Sequence, residues 1–296
     1  MILNVSGRCD IVAFFFPWFI KRYKEGYIDV RNPFYENMVS RIYFEDVDAI
    51  LFCTKNPIPL LNHIKEINKK ILLHVTITPY KKDIEPKVPS KSKIIEAVKE
   101  LSNILGSDNI YIRYDPIFIN DSYTIDYHIK AFDALCELLD GYIKHFIVSF
   151  IDNYKNVRKN SQTLKIKRFT YDDYKSIGIN FSASAKKHNM TVQTCAEDFN
   201  LVEFGFVKED CLSKKLATKL TGKSKFKKWN VRKNSSCNCV EMVDVGVYNC
   251  CKHFCKYCYA NYDENKVYTN FLHHDSNSSL LVGTLKENDI IKVRRP

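Results

Sequence analysis

The sequence predicts an α/β protein built on a parallel sheet, as a (β/α) barrel or partial barrel. Three observations lead there: short apolar runs recur along the chain, longer segments with helical spacing separate them, and no Gly-rich dinucleotide fingerprint follows the first run. With 296 residues, 45% of them hydrophobic, the chain can bury a large core.

In chain order the strand candidates are ILNVS (2–6), AILFC (49–53), LLHVTIT (72–78), IYIRY (110–114), HFIVSF (145–150), MTVQTC (190–195) and MVDVGVY (242–248). Between them, 90–105 sets Ile94, Ile95, Val98, Leu101 and Leu105 on one helical face, and 125–139 repeats the pattern. The stretch after Thr170 also reads as helical, weakened by Gly178. The chain is therefore expected to form one domain, 1–296, with a cysteine-rich segment at about 237–262.

A formal net charge of +11 favours anionic ligands or nucleic acid and is equally compatible with plain solubility. The apolar run 11–20 (IVAFFFPWFI) is too short for a membrane span, contains Pro17 and lacks a small-residue cleavage site, so the expected location is the cytoplasm, with no membrane contact. Six of the eleven cysteines fall between Cys237 and Cys258. Such clustering in a chain read as intracellular points to a metal rather than to disulfides.

In (β/α) barrels the chemistry sits at the C-terminal ends of the strands. Five strand candidates run into polar residues there: SGRCD, TKNP, RYDP, SFIDN and CAED. Arg8, Asp10, Lys55, Asn56, Arg113, Asp115, Asp152, Glu197 and Asp198 would then share one rim. Taken singly, each also fits an ordinary helix cap or loop residue.

NCCKHFCKYCYAN, residues 249–261, contains four cysteines within nine positions. Cys251, Cys255 and Cys258 give C-x3-C-x2-C, whereas counting from Cys250 gives a longer first gap. Three thiolates can hold three irons of a [4Fe-4S] cube and leave the fourth open to a co-substrate; electron-transfer clusters take four.

CKHFCKYC, with Tyr257 before the last cysteine, resembles the cluster motif of the radical S-adenosylmethionine superfamily. SGRCDIVAFF, VRNPF, DAILFCTKNP, TPYKKDIEPKVP, RYDP and DVGVYNCCKHFCKYCYAN extend the resemblance, over nearly the whole chain, to an atypical bacterial group with a C-terminal motif. The motif usually follows the first strand; here it follows the last, so the chain is similar to a permuted barrel whose last strand closes beside the first. The resemblance implies a [4Fe-4S] cluster on Cys251, Cys255 and Cys258, with Cys250 a bystander and His253 a spacer. It further implies S-adenosylmethionine on the open iron, with Tyr257 beside its adenine, and a reductant such as flavodoxin or ferredoxin.

The superfamily's Gly-Gly-Glu stretch has no match here, which leaves Lys55, Asn56 and Arg113 as the candidate anchors for the co-substrate. Arg8, Asp10, Asp115, Asp152, Glu197 and Asp198 are the candidate catalytic groups. Among similar atypical proteins, one activity is cleavage of queuine to 7-aminomethyl-7-deazaguanine, a lyase reaction of queuosine salvage. The N–H donors of a deazaguanine call for carboxylate acceptors, which Asp115, Asp152, Glu197 and Asp198 supply.

Other features stay open. Cys237 and Cys239 could join Cys255 and Cys258 in a zinc site. The scattered Cys9, Cys53, Cys136, Cys195 and Cys211 read as small buried or loop residues, with Cys9 and Cys195 set apart because both fall at expected strand ends. The segment 214–233 carries nine Lys or Arg and no acid, with Phe226 and Trp229 interleaved; it fits RNA, an acidic electron donor or a solvated loop. A non-catalytic zinc- or RNA-binding barrel is the alternative reading.

Overall fold

The computed structural model describes residues 1–197, 199–229 and 237–296. Ten strands occur among them: β1 (Ile2–Val5), β2 (Tyr27–Arg31), β3 (Met38–Tyr43), β4 (Ala49–Thr54), β5 (Lys70–Thr76), β6 (Ile110–Ile117), β7 (His145–Phe150), β8 (Thr191–Thr194), β9 (Met242–Asp244) and β10 (Ile290–Val293). All seven apolar runs of the sequence become strands of one sheet, ordered β8-β7-β6-β5-β4-β1-β9, with every pairing parallel. The last of these strands does lie beside the first, with Ile2 opposite Met242 and Asn4 opposite Asp244. β8 and β9 form the two edges, so among the described residues the sheet is open, not a closed barrel.

Alternation along each strand separates two apolar faces. Leu3, Val5, Ile50, Phe52, Leu73 and Val75 enter the main core. Ile2, Leu51, Leu72, Tyr111, Ile147 and Met242 point the other way and meet Leu212 and Ala217. Ala217 belongs to the helix Lys214–Thr221, so the first half of the basic segment is not a solvated loop. Leu216, Leu220, Phe226 and Trp229 pack against that second apolar cluster, which takes the two aromatic rings out of the role of free stacking platforms. Lys219 and Lys223 pair with Asp108 and Asp48 at 3.1 and 2.5 Å. Residues 230–233 of the segment lie outside the described residues.

The expected helices form at Lys91–Leu105, Ile125–Leu138 and Tyr171–Lys187, the last started by a Thr170–Asp173 capping box. A Cβ on Gly178 would stand 2.6 Å from the Cβ of Phe204, so this glycine permits a close approach instead of merely weakening its helix. The apolar run 11–20 folds into the helices Ile11–Phe14 and Phe16–Glu25, which bury Phe16, Trp18 and Phe19. No helix of the described residues is long and apolar enough to cross a membrane.

A second sheet, β10-β3-β2, has no counterpart in the sequence reading. β2 and β3 are antiparallel and β10 joins β3 in parallel. Arg41 donates from Nε and Nη2 to the two carboxylate oxygens of Asp29, at 2.8 and 2.7 Å, across the hairpin. The connection after β2 brings Phe34, 84% exposed, to the mouth of the cavity described next.

Candidate active site

One cavity of about 680 Å³ opens at the C-terminal strand ends, and all seven strands of the main sheet, or the residues just after them, contribute to its wall. Its volume is that of a small-molecule site. Cys251, Cys255 and Cys258 line it; Cys250, fully buried, does not. Asparagines hold the cysteine loop in place. Asn261 Nδ2 donates to the Cys251 carbonyl at 2.7 Å, Asn160 Nδ2 to that of Lys256 at 2.9 Å, and Asn156 Nδ2 to that of Cys255 at 3.3 Å. Backbone bonds from Lys87 to the His253 carbonyl (3.3 Å) and from Lys256 to the Ile84 carbonyl (3.0 Å) tie the loop to the segment after β5.

Asp10 links three elements to this loop. Its carboxylate caps the helix Ile11–Phe14 by accepting from Ala13 N (2.9 Å), and accepts from Thr54 Oγ1 (2.7 Å), Lys55 N (2.8 Å) and His253 Nε2 (3.1 Å). His253 is thus more than a spacer: its ring anchors the cysteine loop to the ends of β1 and β4. Asp244 does the same between β1 and β9, accepting from Asn4 Nδ2 (3.0 Å), Ser6 Oγ (2.8 Å), Gly7 N (2.6 Å), Gly246 N (2.8 Å) and Arg8 Nε (3.2 Å). A Cβ on Gly246 would meet Ser6 Oγ at 1.9 Å, so only glycine fits there.

Glu85, 1% exposed, was not among the expected site residues. Lys55 Nζ lies 2.8 Å from its carboxylate, Thr78 Oγ1 donates at 2.6 Å, and Lys91 and the Tyr257 hydroxyl complete the shell. Burial raises the Glu85 carboxyl, but Lys55 and Lys91 outweigh it and bring it down to about 2. Lys55 Nζ also sits 5.4 Å above the Tyr257 ring. Lys55 and Tyr257 both line the cavity.

On the next strands, Arg113 Nε donates to Asp115 at 2.9 Å, and Ser149 Oγ donates to the other Asp115 oxygen. Burial raises the Asp115 carboxyl, and Arg113 more than offsets this, so it stays below its ordinary value. Glu197 Oε1 accepts from Phe150 N at 2.8 Å, and exposed Asp152 accepts from the Tyr154 hydroxyl at 2.8 Å. Arg8, Asp10, Lys55, Arg113, Asp115, Asp152 and Glu197 therefore do share one wall, as the strand ends implied. Asn56 does not line it; its Oδ1 faces Ile58 N at 3.3 Å within the turn after β4. Asp198 lies outside the described residues.

The cavity also contains residues that the sequence did not single out. His74, buried on β5, has no hydrogen-bond partner for Nε2 among the described residues, and burial followed by the charge of Arg113 pushes its basicity well below the ordinary value. Cys237 and Cys239 line the same cavity as Cys255 and Cys258, but among the described residues no three His, Cys, Asp or Glu side chains gather as ligands of one ion, so the zinc set considered from sequence is not assembled. Strand alternation carries a signal for His74, because it puts this residue, with Cys53 and Arg113, on the inward face; nothing local marks Glu85.

Burial pushes the Cys251, Cys255 and Cys258 thiols above their ordinary value, and the charge of Lys55 opposes the shift at Cys255 and Cys258. Among the described residues no three His, Cys, Asp or Glu side chains converge on a point as ligands of one metal ion. In number and type, the three thiols of this run that line the cavity match the donor set of a [4Fe-4S] cube with one open iron.

The fold and cavity define an α/β parallel-sheet protein with a thiol-rich site at its strand ends. Residues 2–260 match the family described as Domain of unknown function (DUF1848), and the chain belongs to that family. No curated protein matches it.

Proposed function

We propose that the protein is a radical S-adenosylmethionine enzyme, a lyase whose single domain is a partial barrel, with Cys251, Cys255 and Cys258 holding a [4Fe-4S] cluster. The supporting observation is selective: of the four cysteines in the run, the three at C-x3-C-x2-C spacing reach the cavity and Cys250 does not. When bound there, cluster and co-substrate supply a reductively generated 5′-deoxyadenosyl radical for hydrogen abstraction. A one-electron protein donor of the flavodoxin or ferredoxin type provides the reducing equivalent, and its acidic surface suits a chain of net charge +11.

The chain's own residues bind and orient. Lys55, held by Glu85 beside Tyr257, offers a cation to the co-substrate carboxylate, and the Tyr257 ring offers a face to its adenine. Asp115, its charge kept by Arg113, accepts N–H donors of a flat heterocycle. His74 Nε2 offers a further polar contact inside the cavity, and Phe34 at the mouth offers a stacking face.

Queuine, cleaved to 7-aminomethyl-7-deazaguanine, is the substrate this arrangement suits best, since its base presents N–H donors and its cyclopentenediol needs polar partners. A free base needs no RNA contact from 214–233. Anaerobic incubation with S-adenosylmethionine, dithionite and queuine, followed by mass spectrometry, tests this. The expected product is 7-aminomethyl-7-deazaguanine, lost in Cys251→Ala, Cys255→Ala and Cys258→Ala and retained in Cys250→Ala. Unchanged queuine alongside ongoing 5′-deoxyadenosine formation would remove the substrate and leave the reaction class.

A further inference from the structure

A shallow groove, distinct from the active-site cavity, opens at the protein surface against the same cysteine loop, and none of the roles above uses it. Side chains along the loop divide between the two: His253, Cys255 and Tyr257 line the cavity, whereas Phe254 and Lys256 line the groove. Cys255 lines both. At that cysteine the loop is therefore a wall one chain thick between the surface and the site proposed for the cluster. Asn156 and Asn160, which also line the groove, hold this wall through the carbonyls of Cys255 and Lys256, at 3.3 and 2.9 Å.

Lysines gather around this groove. Lys159 and Lys256 line it, Lys155 Nζ lies 4.8 Å above the ring of Tyr262, and Lys87 Nζ lies 5.0 Å above that of Phe254, both rings being part of the lining. Glu264 is the one carboxylate among the described lining residues, and Lys256 faces it at 3.6 Å. Lys87, Lys155 and Lys159 are exposed and enter no ion pair among the described residues, so their charges are offered to solvent. The basic helix Lys214–Thr221 is placed differently. Lys219 and, just after the helix, Lys223 pair with Asp108 and Asp48, which precede β6 and β4, at the end of the sheet away from the cavity.

We infer that this groove, flanked by Lys87, Lys155 and Lys159, is the surface on which the acidic one-electron protein donor docks; the inference rests on the radical reading above and adds the face that serves it. The cavity mouth must admit substrate and co-substrate, whereas the groove approaches the same cysteine from without. A docked donor is oxidised by one electron and the cluster behind Cys255 is reduced by one; no atom is exchanged, so the wall needs no opening. Unpaired positive charge around a shallow surface suits a brief redox encounter, small in area and steered by charge. RNA is anionic too, but the groove's rings, Phe254 and Tyr262, carry lysines over their faces and offer no free platform for bases.

Anaerobic calorimetric titration of the full chain with a purified bacterial flavodoxin, and in parallel with a ferredoxin, tests this directly and needs no turnover. At least one of the two should bind, and Lys155→Glu/Lys159→Glu, with the fold checked by circular dichroism, should weaken that binding at least about tenfold. The milder Lys155→Gln/Lys159→Gln should weaken it less, and the same charge reversal in Lys214→Glu/Lys215→Glu should change it by less than about twofold. Raising NaCl from about 0.05 to 0.5 M should weaken binding to the parent by about tenfold and act less on Lys155→Glu/Lys159→Glu. After reconstitution, 5′-deoxyadenosine formation driven by the reduced donor protein should fall in Lys155→Glu/Lys159→Glu, while formation driven by dithionite, which needs no docking, should match the parent. No binding of either donor, equal binding by parent and Lys155→Glu/Lys159→Glu, loss in Lys214→Glu/Lys215→Glu instead, or a tRNA that binds through Lys155 and Lys159 where neither donor does would each overturn the surface. Absence of 5′-deoxyadenosine with dithionite as well is a different failure, that of the radical reading itself.

Discussion

At Glu85 a carboxylate with almost no solvent contact gathers two lysines, a threonine and a tyrosine. Its ordinary value of 4.5 falls to about 2 in the fold, because Lys55 and Lys91 outweigh burial. A depressed carboxyl contributes stability that is fully present above the unfolded value and lost as pH falls through the folded one. The contribution is on the order of 3 kcal/mol and should disappear between about pH 4.5 and pH 2. Urea unfolding across that window should show Glu85→Gln losing less stability than the parent. At neutral pH the same variant should be destabilised by about 3 kcal/mol, since Lys55 and Lys91 are left without their counter-charge. Asp10→Ala removes a helix cap together with the bonds from Thr54, Lys55 and His253. Its cost should exceed the roughly 1 kcal/mol of a lone cap and reach about 3 kcal/mol by chemical denaturation. A cost no larger than that of a lone cap would show that Asp10 does not tie the loop to β1 and β4.

Element by element, glycine makes a sharp test. In an exposed helix Gly→Ala stabilises by about 1 kcal/mol. In Tyr171–Lys187 the sign should reverse, because the new Cβ of Gly178→Ala would stand 2.6 Å from Phe204; a loss of about 1–3 kcal/mol in thermal or urea unfolding is expected. The strands of the main sheet were legible because both faces are apolar and the runs stand out from their flanks. The β2–β3 hairpin was not. Tyr27–Arg31 interleaves Asp29 and Arg31 with apolar residues, and β10 is exposed and joins β3 from the far end of the chain, which no local pattern reveals. Helix Lys214–Thr221 was hidden by the charge of the longer basic segment that it opens, while Leu216, Ala217 and Leu220 form the stripe that packs.

Across the whole molecule, strand ends and chain order carried most of the candidate site. Seven of the nine rim residues line one cavity because they sit at the same end of parallel strands, and a last strand paired with the first returns the cysteine loop to that end. Glu85 and Asp244 could not be read in the same way: Lys55 and Tyr257 reach Glu85 from 30 and 172 residues away, and Asn4 reaches Asp244 from 240. The central claim is chemical, and one measurement bears on it most directly. After anaerobic reconstitution, the chain should hold about four irons with matching sulfide; on reduction with S-adenosylmethionine it should release 5′-deoxyadenosine, and Cys255→Ala should release none. A folded, iron-free protein that leaves S-adenosylmethionine intact after the same treatment would contradict it.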